Sequence, residues 1–337
     1  MEIVKTYAIK YKRRLFIIIT KISYERKFKM AVKSVTRFGI QRKIVANMTT
    51  ESWQNIPHVS YQYEPDVTKF MEAFKAFQAE HNSEDGPKIT FNAVLLKAIA
   101  EAIENDPCIN AHFHFEKGLV RGKVTEFDHI DMSVPWILPD GKMMTITMKD
   151  MGNKTLREIA EYQADINRRL QNTVLVEALY SVSFHDTVEK LKKGHIIKAI
   201  KRIYGANTGK HKIVRLKGAE KKAYKAIPDC DKITRADLKQ GTITVSNVGA
   251  DTRGLGGQIA MLMVIPPQIC VIGIGTLQRK PVVVVDDNGE EKIEIRTILP
   301  MNIVFDHRVL DFGEVRPFLT KMEEFFQNPE LVLNDNA

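Results

Sequence analysis

The stretch TFNAVLLKAIAEAIEN, residues 90 to 105, sets the strongest limit on what this chain can fold into. Phe91, Val94, Leu95, Ala98, Ile99, Ala102 and Ile103 recur at helical spacing and give one long apolar face. Pro107 stops the helix. Such a face needs a second layer to cover it, and the sequence supplies one in short strand-like runs. VSYQYEPDV and GTITVSNVG alternate, QICVIGIG and MNIVFDH read as strands, and PVVVVDDNGEEKIEI reads as a hairpin turning at Asn288-Gly289. Two further strands are expected at about 118–122 and 129–137. Other helices are expected after Asp66, with Phe70, Met71, Phe74 and Phe77 inward, and from the capping box Thr155-Leu156-Arg157-Glu158 to about Leu170. A last helix carries Phe318, Leu319, Met322, Phe325 and Phe326. Strands and helices alternate irregularly. The expected fold class is therefore α/β, a two-layer sandwich of mixed β-sheet and helices, rather than a doubly wound parallel sheet.

At 44% hydrophobic and 27% charged residues over 337 positions, the composition is that of a soluble globular chain with a sizeable core. The aliphatic run Leu15-Phe16-Ile17-Ile18-Ile19 is far below the roughly 20 residues that span a bilayer. No small-residue cleavage site follows it. The reading is of a cytoplasmic protein. Three separated cysteines, Cys108, Cys230 and Cys270, form no disulfide framework and no zinc motif. Phosphate-loop and dinucleotide fingerprints are missing, and no metal is expected.

Charge divides the chain. Residues 1–29 hold nine Lys/Arg against two Glu, and residues 190–225 hold thirteen against one. With a total of +9, the remainder carries −10. An acidic body with two basic segments weighs against nucleic acid as a partner. The expected organisation is a basic N-terminal arm at 1–29 and one domain at 30–337, with an inserted basic helical segment at about 171–230. Within it, DTVEKLKKGHIIKAIKRIYG reads as a basic amphipathic helix interrupted by Gly194. Its basic face around 188–204 is either a docking site for an acidic carrier domain or an anionic membrane surface, or simply a solvated face.

NIVFDHRVLDFGEV, residues 302–315, poses the functional question. A strand ends by delivering Asp306, His307 and Arg308 together, with Asp311 four residues after the histidine. Read alone, His307 is structural, Asp311 with Glu314 caps a helix, and Asp306 with Arg308 forms a surface ion pair. Ser246 is then a strand hydroxyl bonded to neighbouring backbone.

DHRVLDFG resembles the Asp-His-Arg-x-x-Asp-Gly motif of the catalytic domain of the dihydrolipoamide acyltransferases of 2-oxoacid dehydrogenase complexes. That family belongs to the chloramphenicol acetyltransferase-like superfamily. Four more segments follow the family's order: RKIVANMTTESWQNIPHVSYQYEPDVT, ITFNAVLLKAIAEAI, HIDMSVPWILPDG, and GTITVSNVG with IPPQICVIGIG. The resemblance covers about residues 38–170 and 232–333. It implies a trimer with the active site between subunits, possible assembly beyond it, coenzyme A as substrate, and an acyl group passed between CoA and a dihydrolipoyl or other carrier thiol. It assigns His307 as general base and Ser246, beside Asn247, as oxyanion donor. Asp311 pairs with Arg42, and Arg308 supports the site.

Those residue types suit the chemistry. A thiol with a free pKa of about 8.5 needs a base, and an imidazole near 6.5 supplies one. The tetrahedral oxyanion needs a hydrogen-bond donor. Three departures stand out. Phe312 occupies the family's glycine position, and residues 171–230 replace a short connection. No lipoyl domain precedes the catalytic part, which implies a lipoyl group supplied in trans. Two other readings follow from these: a non-catalytic trimeric scaffold, and an acyltransferase to an amine or hydroxyl acceptor.

Overall fold

The computed structural model describes residues 32–82, 86–138, 141–192, 196–249, 252–255, 257–286 and 288–334. Residues Met1–Phe38 form a unit separate from Gly39–Ala337, and its described part, 32–38, is without regular structure. The expected basic arm at 1–29 lies outside the described residues.

The second unit opens with α1 (Ile40–Asn55), β1 (His58–Tyr63), α2 (Thr68–His81) and α3 (Phe91–Asn105). The hairpin β2 (Ala111–Glu116) and β3 (Arg121–Glu126) follows, then β4 (Met132–Ile137), β5 (Met143–Met148) and α4 (Leu156–Gln171). Next come α5 (Leu175–Lys192), α6 (Ile196–Asn207) and α7 (Gly218–Ala226). The chain finishes with β6 (Ile243–Asn247), β7 (Cys270–Ile274), the hairpin β8 (Gln278–Val285) and β9 (Glu291–Ile298), β10 (Met301–Asp306), α8 (Phe312–Gln327) and α9 (Glu330–Leu333).

Six strands form one mixed sheet in the order β1-β10-β7-β6-β4-β5. The β4–β6 and β6–β7 pairs are parallel and the others antiparallel. All six residues of β10 are buried, as a near-continuous apolar run in mid-sheet should be. Phe70, Phe305, Phe318 and Phe326 are among the fully buried side chains, and Phe70 meets Phe326 edge-on at 5.5 Å. The α/β sandwich expected from the sequence is thus the observed fold.

Several local expectations change. The helix at 90–105 was expected to bury one face, but every residue from Ala93 to Ala100 is buried, Lys97 included. Lys97 lies 3.3 Å from Glu101, so its charge enters the interior paired. Asp66 was expected as the N-cap of α2; Val67 takes that position, and Asp66 Oδ1 accepts the Thr68 N–H at 2.9 Å from one residue further out. The strand expected at 118–122 instead straddles the β2–β3 turn, where Val120 adopts a left-handed φ of 48°. The single basic helix resolves into two, α5 and α6, and Gly194 lies outside the described residues. Among the described residues, no helix is long and apolar enough to cross a membrane.

One device ties α1 and β1 to the segment before β7. Ser52 Oγ donates to the Val264 carbonyl at 2.6 Å, and the Val264 N–H donates to His58 Nε2 at 3.1 Å. Burial lowers the His58 pKa, against the opposing pull of the Ile56 backbone and the Asp306 charge. A histidine whose folded pKa is depressed gives stability that is full above its unfolded value, near 6.5, and is lost as pH falls through the lower folded value. Urea unfolding of wild type should therefore weaken between pH 7.5 and 5 more than that of His58→Gln. Equal pH dependence in the two proteins would remove this role.

Candidate active site

The end of strand β10 is hydrogen-bonded to neighbours on both sides in the sheet. The Asp306 N–H donates to Ile269 O at 2.8 Å, and the His307 N–H donates to Pro57 O at 3.0 Å. The Asp306 carbonyl then accepts from Val309 at 3.0 Å and Leu310 at 3.1 Å, closing a tight turn. The sequence expectation of a surface pair between Asp306 and Arg308 is corrected here. Asp306 is only 1% exposed, because the last strand residue still lies between β1 and the end of β7. Its carboxylate accepts from the Arg308 N–H at 3.0 Å and from Arg308 Nε at 2.9 Å. The guanidinium also lies over the rings of Phe113 and Phe115, 5.2 and 5.6 Å from their centroids. Asp306→Ala would leave Arg308 without its partner and loosen the turn. It should cost about 2–3 kcal/mol, at the low end for a buried pair because Arg308 keeps some solvent contact. That amounts to a Tm loss of about 5 °C in a domain of this size. A loss under about 1 °C in a thermal melt would contradict it.

His307 stands out of this turn with its side chain half exposed, at 50%. Its Nδ1 lies 3.1 Å from the Leu310 carbonyl and 3.2 Å from Asp311 Oδ1. Both neighbours are acceptors, so the proton sits on Nδ1 and the free lone pair is on Nε2. Asp311 also opens α8, where its N–H donates to Glu314 Oε2 at 2.6 Å. Asp311 thus meets both the N-terminus of α8 and the His307 ring. Arg42 does not join it. Among the described residues no ion pair links the two; Arg42 is exposed on α1, while the Asp311 carboxylate is turned to His307. Phe312 causes no strain at the family's glycine position. It is the first residue of α8, outside the positive-φ residues, and its ring rests on Tyr61 at 4.9 Å.

Ser246 lies on β6, 9% exposed, and its hydroxyl makes no hydrogen bond among the described residues. The backbone-bonded hydroxyl of the plain reading is thus not what the fold produces. Asn247 next to it is tied down: its Nδ2 donates to Asn92 Oδ1 at 2.7 Å and its Oδ1 accepts the Gly249 N–H at 2.8 Å. A Cβ at Gly249 would meet Gly275 O at 2.7 Å, so only glycine permits this approach.

The register separates the two functional groups. Ser246 pairs with Gly273, and Gly273 pairs with Asn302. Ser246 is therefore level with the start of β10, while His307 follows its end. Five residues at about 3.3 Å and two strand spacings of about 4.8 Å place them about 19 Å apart within one chain. Cys108 and Cys270 are no substitute nucleophiles. Burial, with Asp106 beside it, pushes the Cys108 thiol well up, and burial pushes Cys270 up to about 12. Among the described residues, no group of three or more His, Cys, Asp or Glu is placed to hold a metal ion.

The profile of the 2-oxoacid dehydrogenases acyltransferase (catalytic domain) family matches residues 30–180 and 209–334. The chain belongs to this family. Residues 181–208, in the middle of the segment expected as an insertion, fall outside the family match. The chain is 24% identical over 284 residues to the dihydrolipoyllysine-residue acetyltransferase component of the pyruvate dehydrogenase complex of Mycobacterium bovis, covering 84% of this chain and 39% of that one. The Staphylococcus epidermidis protein of that name is 24% identical over 301 residues, at 89% and 53% coverage. The chain thus spans only about 39–53% of these relatives. Its fold is that of a probable dihydrolipoamide acetyltransferase from Listeria monocytogenes, with a TM-score of 0.60 at 20% identity over 91% of this chain and 98% of that one. The Azotobacter vinelandii dihydrolipoamide acetyltransferase gives 0.60 at 19% identity, over 91% and 96%. That structure addresses the role of a serine, a histidine and, four positions later, an asparagine in the catalytic mechanism.

Proposed function

We propose that this family member is a CoA-dependent acyltransferase that moves an acyl group between CoA and a dihydrolipoyl thiol, working as a homotrimer. The observation that carries this reading is the separation of Ser246 from His307 at opposite ends of one sheet. One tetrahedral intermediate needs both groups within about 3 Å of its atoms. A cyclic assembly meets that need by setting the His307 end of one subunit against the Ser246 end of the next. The Azotobacter enzyme's serine and histidine support the same residue types, and its asparagine follows its histidine by four positions, the spacing of Asp311 from His307 here.

In this reading His307 Nε2 removes the S–H proton of the incoming dihydrolipoyl thiol. The sulfur attacks the thioester carbonyl, and the electron pair moves to oxygen, where the Ser246 hydroxyl of the neighbouring chain donates to it. Collapse breaks the bond to the CoA sulfur, which takes the proton back from the imidazolium. Leu310 O and Asp311 hold the ring with Nδ1 protonated and Nε2 free. The relatives' names support acetyl as the group transferred.

A thiol-exchange assay tests this with acetyl-CoA and three acceptors: dihydrolipoamide, an amine and an alcohol. Turnover with the dithiol and none with the others is expected. A wild-type trimer that is silent with the dithiol would overturn the reading and favour the scaffold.

A further inference from the structure

The helix α6 shows its apolar side to solvent. Ile196, Ile197, Ile200, Ile203 and Tyr204 are 41–71% exposed. At about 100° per residue these five occupy an arc of roughly 120°, a continuous ridge one helix long. Lys201 falls on the remaining arc and is exposed. The helix packs against α5 and the short turn Gly209–His211, not into the core. On α5, Phe184 and Leu191 are also exposed, at 51% and 42%. This ridge lies within residues 181–208, the stretch outside the family match, so the shared catalytic fold does not account for it.

We infer that α6 is an interfacial helix that lays the enzyme on an anionic lipid surface. Charge complementarity selects the occupant. Residues 190–225 carry thirteen Lys/Arg and one Glu on a chain whose remainder outside the N-terminal segment is acidic. An anionic bilayer attracts this segment while repelling the body, which orients the contact. The shape agrees. Four isoleucines and a tyrosine on a convex ridge enter the boundary between headgroups and acyl chains, and the lysine stems beside them reach back to the phosphates. An acidic folded carrier would meet the cations but leave the aliphatic ridge uncovered. The helix is too short to span, so it lies on the surface.

Vesicle flotation of the full chain tests this. Phosphatidylcholine vesicles are compared with vesicles holding about one third phosphatidylglycerol, at low and high salt. Wild type should bind the anionic vesicles at least about tenfold better than the neutral ones, and less well in high salt. Ile197→Gln/Ile200→Gln, at solvent-exposed positions, should lose about tenfold of that binding with acyl transfer to free dihydrolipoamide unchanged. Lys192→Glu/Lys201→Glu should abolish the preference for anionic lipid. Equal binding to both vesicles, or unchanged binding by the isoleucine variant, would overturn the inference. So would a variant that bound vesicles like wild type but sedimented as a smaller assembly, the mark of a second copy. A raised KM for an acidic lipoyl domain without any vesicle binding would assign the ridge to the carrier instead.

Discussion

His307→Ala should lower acetyl transfer from acetyl-CoA to dihydrolipoamide by about 10²–10⁴-fold, the worth of a positioned general base. The loss falls on kcat, because the ring takes a proton from the thiol and is not needed to hold CoA. Folding should be spared, since the side chain is half exposed and its removal opens no core cavity. The pH profile separates this role from a structural one. With the base gone, only thiol already ionised can attack, so the residual rate should climb tenfold per pH unit toward the thiol pKa of about 8.5. Wild type should vary less steeply with pH over the same range. A variant with wild-type kcat, or one with a parallel pH profile, would remove His307 from the reaction.

The second large effect belongs to Ser246→Ala, with an expected kcat loss of about 10²–10³-fold, the cost of one oxyanion donor. The KM for CoA should hold, because the hydroxyl is paired with an oxygen that becomes negative only in the transition state. Stability should hold too. Among the described residues the hydroxyl makes no hydrogen bond, so its deletion strands none of them. Ser246→Cys offers a weaker donor and should fall between. A thermal melt and a kinetic run on the same sample suffice: a large Tm loss in Ser246→Ala would make the serine a strand residue after all.

Much of the fold could be read from the chain because its periodicities are strong. The capping box at Thr155 and Glu158 is present as read, and so is the hairpin at Gly289, with φ of +80°. The β2–β3 hairpin was missed for a physical reason. AHFHFE alternates aromatic and imidazole rings, and such rings are apolar on their faces yet polar at an edge, so the alternation carries little hydropathy contrast. β5, MMTITM, was missed although its burial alternates from Met143 to Ile146, since methionine and threonine signal strand only weakly. At the candidate site, the family resemblance pointed to His307, Ser246 and Asp311. It did not supply Leu310, whose carbonyl helps fix the tautomer, because backbone atoms leave no mark in sequence. Asp306 was misread as a surface residue because two adjacent charges ordinarily are solvated; its burial follows from the neighbours that β1 and β7 place around it. Arg42 was taken from the family pattern and makes no ion pair with Asp311 among the described residues.

The shared site has a direct test in mixed assemblies. Ser246→Ala and His307→Ala chains, each nearly inactive alone, are unfolded together in equal amounts and reassembled. In a cyclic trimer with random mixing, half the interfaces offer an intact histidine and half of those an intact serine. Activity should return to about one quarter of the wild-type level. Activity that stays at the level of the separate variants, in particles confirmed to contain both chains, would mean that base and hydroxyl do not meet across a subunit boundary.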